Sequence, residues 1–296
     1  MSILPRWHPP LVALTVAAES SGWQPRAALP EDRRMDPMLV FDRDAVRLHR
    51  DRAAASVGTV ADLLRDGAER LLGRLDDMTG EFGIALDVGG RGVVAPLLRA
   101  RGIEAVSSDL SLPMARLSGL PVVADEEFLP FAPGSFDLVV ASLSLHWIND
   151  LPGALIQIRQ ALRPDGLFLA SMPALGSFAE LRTALTETEL ALRGGASPRV
   201  SPFPDLRDCA GLLQRAGFSA PVADLEEIVV RYADPLQLFR DLRAAGETNA
   251  IRARSRTMPP AELFPAALAR MRGEDERVPV TVRLAMMTGW VAGRSG

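Results

Sequence analysis

The chain has 296 residues, of which 48% are apolar and 24% charged, and its formal net charge is −4. This length and apolar fraction are those of a globular protein with a sizeable core. The negative charge excludes a general attraction to phosphates, so we expect no nucleic-acid partner. All 33 basic residues are arginines, which excludes lysine chemistry such as Schiff-base formation.

The cysteine content and the length of the apolar runs indicate in which cellular compartment we expect the protein. Cys209 is the single cysteine, so an intramolecular disulfide and a thiolate zinc cluster are both excluded. We therefore expect a reducing, cytoplasmic location. No apolar run reaches the length of a transmembrane segment. Residues 1–35 contain only a short apolar run preceded by two prolines, and we predict a disordered leader there rather than a signal peptide.

The pattern after the leader predicts one α/β domain over 36–296. Leucines and valines recur at helical spacing up to Leu75, which predicts a helical N-terminal extension over 36–80. Short apolar runs then alternate with amphipathic segments, as in a parallel sheet covered by helices. We predict a Rossmann-like, doubly wound, seven-stranded sheet.

The predicted strands cover 84–88, 105–108, 121–124, 136–143, 167–172, 223–231 and 280–291, the last two forming an antiparallel edge. Helices are predicted over 93–100, 151–162, 178–192, 206–216, 236–245 and 260–271. The composition of 163–166 predicts a turn. The core is assigned to 81–173, 205–232 and 278–292, and two insertions, 174–204 and 235–272, are predicted to form a lid.

Acidic residues and glycines follow three successive strands. In a doubly wound sheet, ligands bind beyond the carboxyl ends of the strands, where the strand order reverses. A carboxylate such as Asp109 can accept hydrogen bonds from both hydroxyls of a ribose, and Asp125 can accept from an adenine amine. The residues at these ends are Asp87, Gly89, Gly90 and Gly92 after the first strand, Asp109 after the second, and Asp125 with Glu126 after the third.

Each of these residues also has a purely structural interpretation, because glycines form turns and aspartates cap helices. Two nucleotide ligands compete as well. Residues 90–95 fit G-x-G-x-x-A, a dinucleotide fingerprint. However, Asp87 directly precedes the turn, where a negative charge is unfavourable beside a pyrophosphate but pairs with an ammonium group. The acidic strand ends therefore favour S-adenosylmethionine.

Several segments resemble the class I methyltransferases, and more closely the family of mitochondrial complex I assembly factor 5 and its bacterial relatives. They are FDRD (41–44), ADEEFLPF (124–131), SFDLVVASLSLHWINDLPGAL (135–155), LRPDG (162–166), SPF (201–203), GETNA (246–250), VPVT (278–281) and GW (289–290). The resemblance implies a methyltransferase fold that binds S-adenosylmethionine. The mitochondrial member is associated with hydroxylation of an arginine on a complex I subunit.

One departure from that family lies in the glycine turn. The pattern D-L-G-C-G-R-G is shortened by one residue between Asp87 and Gly92, which moves the backbone N–H groups that face the cofactor. The resemblance also makes Glu126 a candidate contact with the adenine end. Our predicted cofactor site consists of Asp87, Gly89, Gly90, Gly92, Asp109, Leu110, Asp125, Glu126 and Ser142.

The residues that act on an acceptor are left open. Methyl transfer needs alignment of acceptor and sulfonium more than a fixed catalytic group. His146 and Trp147 are acceptor-side candidates, or else a structural pair that closes the fourth strand. A non-haem iron site for hydroxylation would need two histidines and a carboxylate. The chain has three histidines, one of them in the leader, and we predict no metal site.

Three functions follow from these observations. The first is an S-adenosylmethionine-dependent methyltransferase whose acceptor, a small molecule or a protein, lies under the predicted lid. The second is a protein-arginine hydroxylase or assembly factor for respiratory complex I. The third is a methyltransferase fold that serves only as a binding module. The shortened turn favours the third, whereas the retained acids Asp87, Asp109 and Asp125 favour the first two.

Overall fold

The computed structural model describes residues 39–78 and 80–293. The leader predicted at 1–35 lies outside the described residues. Within this described part, no helix combines the length and apolar character needed to cross a bilayer.

Within the described residues, two α-helices precede the sheet. Helix α1 (Arg43–Ala53) begins after Asp42, whose side chain accepts a hydrogen bond from the Ala45 backbone N–H and so caps the helix. Helix α2 (Ala61–Gly73) follows a short 3₁₀ segment, Val57–Val60, and a second one, Arg74–Asp77, follows α2. This confirms the predicted helical N-terminal part.

The seven strands form one sheet in the order β3-β2-β1-β4-β5-β7-β6. The first five strands are parallel, whereas β7 runs antiparallel to both β5 and β6, which confirms the predicted antiparallel edge. The strand order reverses between β1 and β4. The strands are β1 Ile84–Val88, β2 Glu104–Asp109, β3 Pro121–Val123, β4 Phe136–Ser142, β5 Leu162–Pro173, β6 Ser219–Tyr232 and β7 Val278–Trp290.

In the described part of the chain, seven further α-helices follow β1: α3 Val94–Ala100, α4 Leu112–Ala115, α5 Leu151–Ala161, α6 Ala179–Arg193, α7 Leu206–Arg215, α8 Pro235–Ala244 and α9 Leu263–Arg270. Helix α4 was not predicted, because four residues are too few for a periodic pattern; Ser111 caps it. Apolar side chains from α2 and α3 join one buried cluster with the sheet, and those from α5 and α7 join another.

The predicted turn at 163–166 is wrong. Strand β5 already begins at Leu162, which pairs with Phe136, and the next pair is Leu167 with Leu138. The intervening residues bulge out of this ladder, with Asp165 at a positive φ of 62°. They remain in the sheet because Asp165 and Gly166 form backbone hydrogen bonds with Val291, the residue after β7.

The segments predicted as lid insertions share a buried cluster. Helix α6 contributes Leu181 and Leu185, helix α9 contributes Leu263 and Leu268, and β7 contributes Val280. Residues 194–204 form the loop that the sequence predicts. Whether the two segments act as a lid remains a prediction.

Candidate functional site

Asp87, near the end of β1, is fully buried and joins three elements. Its Oδ2 accepts hydrogen bonds from the Ala95 backbone N–H of α3 at 3.1 Å and from the Ser107 hydroxyl of β2 at 3.2 Å. Its Oδ1 has no hydrogen-bond partner among the described residues. Burial raises the pKa of Asp87 to about 7, although both hydrogen bonds act in the opposite direction.

The turn after β1 needs glycine at three positions, one of which is Gly92, with a φ of 79° and Leu117 Cβ 2.9 Å from the place of a Cβ. Gly89 has a φ of 68°, and a Cβ there would lie 2.6 Å from Ser144 Cβ. A Cβ on Gly90 would lie only 2.0 Å from Asp87 Oδ1. Arg91 also has a positive φ, 50°, which is uncommon for a non-glycine residue and accompanies the shortened turn.

Asp109 and Glu126, at the ends of β2 and β3, share one arginine of helix α1. Arg50 Nη1 lies 2.5 Å from Glu126 Oε1 and 3.4 Å from Asp109 Oδ2. All three side chains are at most 2% exposed. Asp109 Oδ1 also accepts the Ser111 backbone N–H at 2.8 Å. The structure thus brings together two of the predicted site carboxylates, and the positive charge of Arg50 neutralises part of their negative charge.

Asp125 is held by another arginine of the same helix. Arg43 donates to Asp125 Oδ1 at 2.6 Å and also to the Glu126 carboxylate. Arg43 and Arg50 are seven residues apart in sequence, which places them on one face of α1. Helix α1 therefore lies over the ends of β2 and β3.

These ion pairs set the protonation of the two strand-end acids. Burial raises the pKa of Glu126, but Arg50 and Arg43 outweigh it and bring that pKa to about 2. For Asp109, burial dominates and raises the pKa despite the nearby Arg50. Glu126 is therefore a fixed negative charge, whereas Asp109 is less acidic than an exposed aspartate.

Two further predicted contacts lie beside this cluster. Leu110 packs against a small apolar cluster that contains Val46 of α1 and Trp147. The hydroxyl of Ser142, at the end of β4, is 3.4 Å from that of Ser171 on β5. Neither side chain belongs to the ion-pair cluster around Arg50.

Buried polar atoms without partners gather at these strand ends. Besides Asp87 Oδ1, they include the hydroxyls of Ser108 and Ser144, and Nη2 of Arg50; none of the described residues supplies a partner for them. A buried polar group without a partner costs free energy, so it usually marks a place where a ligand or water binds. These atoms come from β1, from β2, from the segment after β4 and from α1.

A second polar cluster lies after β4, around Glu247. Glu247 Oε2 accepts from Trp147 Nε1 at 2.6 Å and lies 2.7 Å from His146 Nε2. Arg91 donates to Glu247 Oε1 and also to the Leu143 carbonyl at 2.7 Å. Burial raises the pKa of Glu247, but His146 and Arg91 hold it well below its ordinary value. This cluster links the glycine turn to both predicted acceptor-side residues.

A cavity of about 230 Å³ lies next to this second cluster. Arg91, Leu143, His146, Trp147 and Glu247 contribute to its wall. Both segments predicted as a lid also contribute. Its other lining residues are mainly apolar and include Leu63, Leu64, Phe178, Leu181, Phe203, Ile228, Val230, Leu238, Leu242, Val280 and Val282. The predicted cofactor residues are not among the lining residues.

Four residues of these clusters were not among the predicted site residues: Arg43, Arg50, Arg91 and Glu247. Arg43 and Arg50 carry a signal in their spacing of seven on a predicted helix, which gives them a common face. Glu247 stands in the GETNA segment with no periodic signal, and a contact over 101 positions places it beside His146. Among the described residues, no cluster of three or more His, Cys, Asp or Glu side chains is arranged to bind a metal ion.

The sheet order, the antiparallel last pair and the glycine turn after β1 define the class I methyltransferase fold. The structure superposes on the YcgJ protein from Bacillus subtilis with a TM-score of 0.52 and 14% identity, covering 77% of this chain and all of that one. The Haloferax volcanii methyltransferase solved in complex with Trm112 gives a TM-score of 0.50 and 17% identity, covering 85% of this chain and 99% of that one.

The sequence comparisons narrow the class to a family. The model of the family described as "Methyltransferase domain" matches residues 58–220. The chain is 40% identical over 266 residues to arginine-hydroxylase NDUFAF5 of Danio rerio, covering 86% of this chain and 83% of that protein. It is 36% identical over 279 residues to malonyl-[acyl-carrier protein] O-methyltransferase of Laribacter hongkongensis, covering 86% and 92%. The chain belongs to the methyltransferase-domain family and is an enzyme of that family.

Proposed function

We propose that the protein binds S-adenosylmethionine at the ends of β1, β2 and β3 and transfers its methyl group to an acceptor in the neighbouring cavity. The buried, unpartnered polar atoms at these strand ends carry this proposal. Family membership supports the cofactor, and the cavity that borders the glycine turn supports an acceptor beside it.

The residues present fit this cofactor. Asp87 Oδ1 would accept from the ammonium group, and the free Nη2 of Arg50 suits the carboxylate of the same amino-acid moiety. Asp109 would hold the ribose after exchanging its long contact with Arg50. Bound there, S-adenosylmethionine would supply an electrophilic methyl carbon on a positively charged sulfur. The protein's part is to align the acceptor and exclude water.

A calorimetric titration with S-adenosylmethionine tests the proposal. We expect saturable binding to the wild type and a loss of roughly 1–3 kcal/mol in Asp109→Ala, the scale of lost hydrogen bonds to a charged group. Asp224→Asn removes a carboxylate of β6 that pairs with Arg74, away from the strand ends, and should bind normally. Absence of binding to the wild type would contradict the proposed function.

Protein-arginine hydroxylation is a second candidate. The name of the Danio rerio relative favours it, and so does the charge of the cavity wall. Among the described lining residues, Asp66 pairs with Arg70 and Glu247 with Arg91, whereas Asp241 has no arginine partner. The carboxylate of Asp241 suits a cationic side chain.

The two candidates are separated by mass spectrometry of proteins from a deletion strain, with the complex I subunits as the first targets. Loss of one oxygen atom from an arginine-containing peptide would indicate hydroxylation. Loss of a methylene group would indicate methylation. Restoring the gene should restore the modification.

A further inference from the structure

The wall of the cavity is mostly apolar and contains one hydrogen-bonded polar cluster. This cluster contains His146 and Trp147, which follow β4, and Glu247, which follows α8. The His146 side chain is 3% exposed. Apolar side chains from α2, α6, α8, β6 and β7 supply most of the remaining surface. A ligand that matches this wall would therefore be mostly apolar, with a polar group beside the cluster.

Glu247 determines which nitrogen of His146 carries a hydrogen. A carboxylate only accepts hydrogen bonds, so His146 Nε2, 2.7 Å from Glu247 Oε2, is the donor. In the neutral ring this leaves the lone pair on Nδ1. No described residue donates to that nitrogen. His146 is thus oriented by Glu247 and keeps an acceptor nitrogen without a partner.

The charges in the wall argue against an acidic acceptor. A buried carboxylate needs a cation that is not already paired. Of the described lining residues, Arg91 pairs with Glu247, and Arg199 pairs with Glu189, with its Nη2 at 2.5 Å from Glu189 Oε1. Each guanidinium thus already has a carboxylate counter-ion, although Arg91 Nε has no hydrogen-bond partner among the described residues, whereas a neutral hydroxyl needs no counter-ion and suits a nitrogen acceptor.

We propose that the cavity binds an apolar acceptor with one neutral hydroxyl, and that His146 takes its proton. This inference rests on the proposed methyl transfer. The hydroxyl oxygen forms a bond to the transferred methyl carbon, while the bond from that carbon to sulfur breaks and the sulfur keeps the electron pair. The hydroxyl proton moves to His146 Nδ1, and the imidazolium is stabilised by Glu247.

Binding of matched probes tests the acceptor class without cofactor. We expect para-butylphenol to bind the wild type about tenfold more tightly than para-butylanisole, which lacks the hydroxyl hydrogen. A tenfold difference in affinity corresponds to the net contribution of about one hydrogen bond. Para-butylbenzoate should bind more weakly than the phenol. Equal affinities for phenol and anisole, or a preference for benzoate, would overturn the proposal.

His146→Gln tests the residue. Glutamine keeps an N–H donor for Glu247 but lacks the nitrogen acceptor, so the phenol preference should fall below about twofold. His49→Gln, on α1 and outside the cavity wall, should retain the preference. A preference that persists in His146→Gln would refute the role of His146.

Nitrogen NMR gives a readout that needs no variant to fold. With three histidines in the chain, the His146 signals are assignable. We expect a hydrogen on Nε2, a bare Nδ1, and a shift of the Nδ1 signal when para-butylphenol is added. A hydrogen on Nδ1 would contradict the proposal. Because these measurements omit S-adenosylmethionine, they succeed or fail independently of the cofactor titration.

Discussion

The guanidinium of Arg50 and the carboxylate of Glu126 form an ion pair, 2.5 Å between Nη1 and Oε1, in which both side chains are 1% exposed. Asp109 lies on the same guanidinium nitrogen. A charge removed from water this far is stable only while its partners remain. Helix α1 is therefore joined to the ends of β2 and β3 by buried ion pairs. Removing one partner of such a pair leaves an unpaired buried charge and strongly lowers the free energy of unfolding.

Replacing Arg50 by methionine keeps the apolar stem but removes the charge. Asp109 would lose its cationic partner, and Glu126 would retain only Arg43. We expect the free energy of unfolding to fall by about 3–5 kcal/mol, as for other broken buried pairs, measured by urea denaturation. Arg47→Met is the matched control, because Arg47 is a half-exposed residue of the same helix, 3.4 Å from Asp51, and should change stability by less than about 1 kcal/mol. Similar losses in both variants would contradict this assignment.

Asp87→Asn should make stability less sensitive to pH. The folded-state pKa of Asp87 is raised to about 7, above its ordinary value, so the folded state keeps a proton that the unfolded chain releases. Wild-type stability is therefore lost as the pH rises from about 4 towards 7. Asparagine can accept the same two hydrogen bonds without carrying a charge.

The stability of Asp87→Asn relative to the wild type should thus increase by roughly 2–4 kcal/mol between about pH 4 and pH 8, at ~1.4 kcal/mol for each pKa unit. Urea denaturation across that range measures it. The same variant should bind S-adenosylmethionine more weakly, because the ammonium loses its counter-charge. A difference in the free energy of unfolding that does not change with pH would show that the pKa of Asp87 is not raised in the folded chain.

Gly90→Ala should disturb Asp87. The added Cβ would lie 2.0 Å from Oδ1 of Asp87, and this carboxylate is held in place by the hydrogen bonds of its Oδ2 with Ala95 and Ser107. We expect a loss of about 1–3 kcal/mol from the free energy of unfolding, the range of overpacked sites. Gly58→Ala, where no atom lies within 4 Å of the new Cβ, should be within about 0.5 kcal/mol of the wild type. Thermal denaturation ranks the two variants.

Cys209 should be unreactive in the folded protein. The side chain is fully buried on α7, and burial raises the pKa of its thiol to about 11. Because the thiolate is the nucleophile, a disulfide exchange reagent should react only after urea unfolds the chain. Rapid labelling of the native protein would show that α7 opens locally.

Most of the sheet could be predicted from the sequence, because alternating and continuous runs of apolar residues are local signals. Strand β1 begins and ends where predicted, and the late antiparallel pair was found from its apolar pattern. The turn at 163–166 was misassigned, because the backbone bonds to Val291 that keep it in the sheet come from 126 positions further along the chain (291 − 165). Composition alone does not contain that contact.

The candidate site was only partly predictable, for the same reason. The acids at the strand ends follow from the rule for doubly wound sheets, and the structure gathers Asp109 and Glu126. Arg50, which neutralises part of their charge, is 76 positions from Glu126 in the sequence. His146 and Glu247, which form the second contact, are 101 positions apart. Such pairs depend on tertiary packing rather than on local pattern.

Because α1 lies over the strand ends, it belongs to the part of the chain that a stable catalytic domain needs. The family match starts at residue 58, after both arginines of that helix. A recombinant fragment cut at this limit would contain every strand and the glycine turn, yet would leave Asp125 and Glu126 without counter-ions. Such a fragment should fold poorly in low-salt buffer and recover in high salt, whereas one that begins before Asp42 should need no added ions.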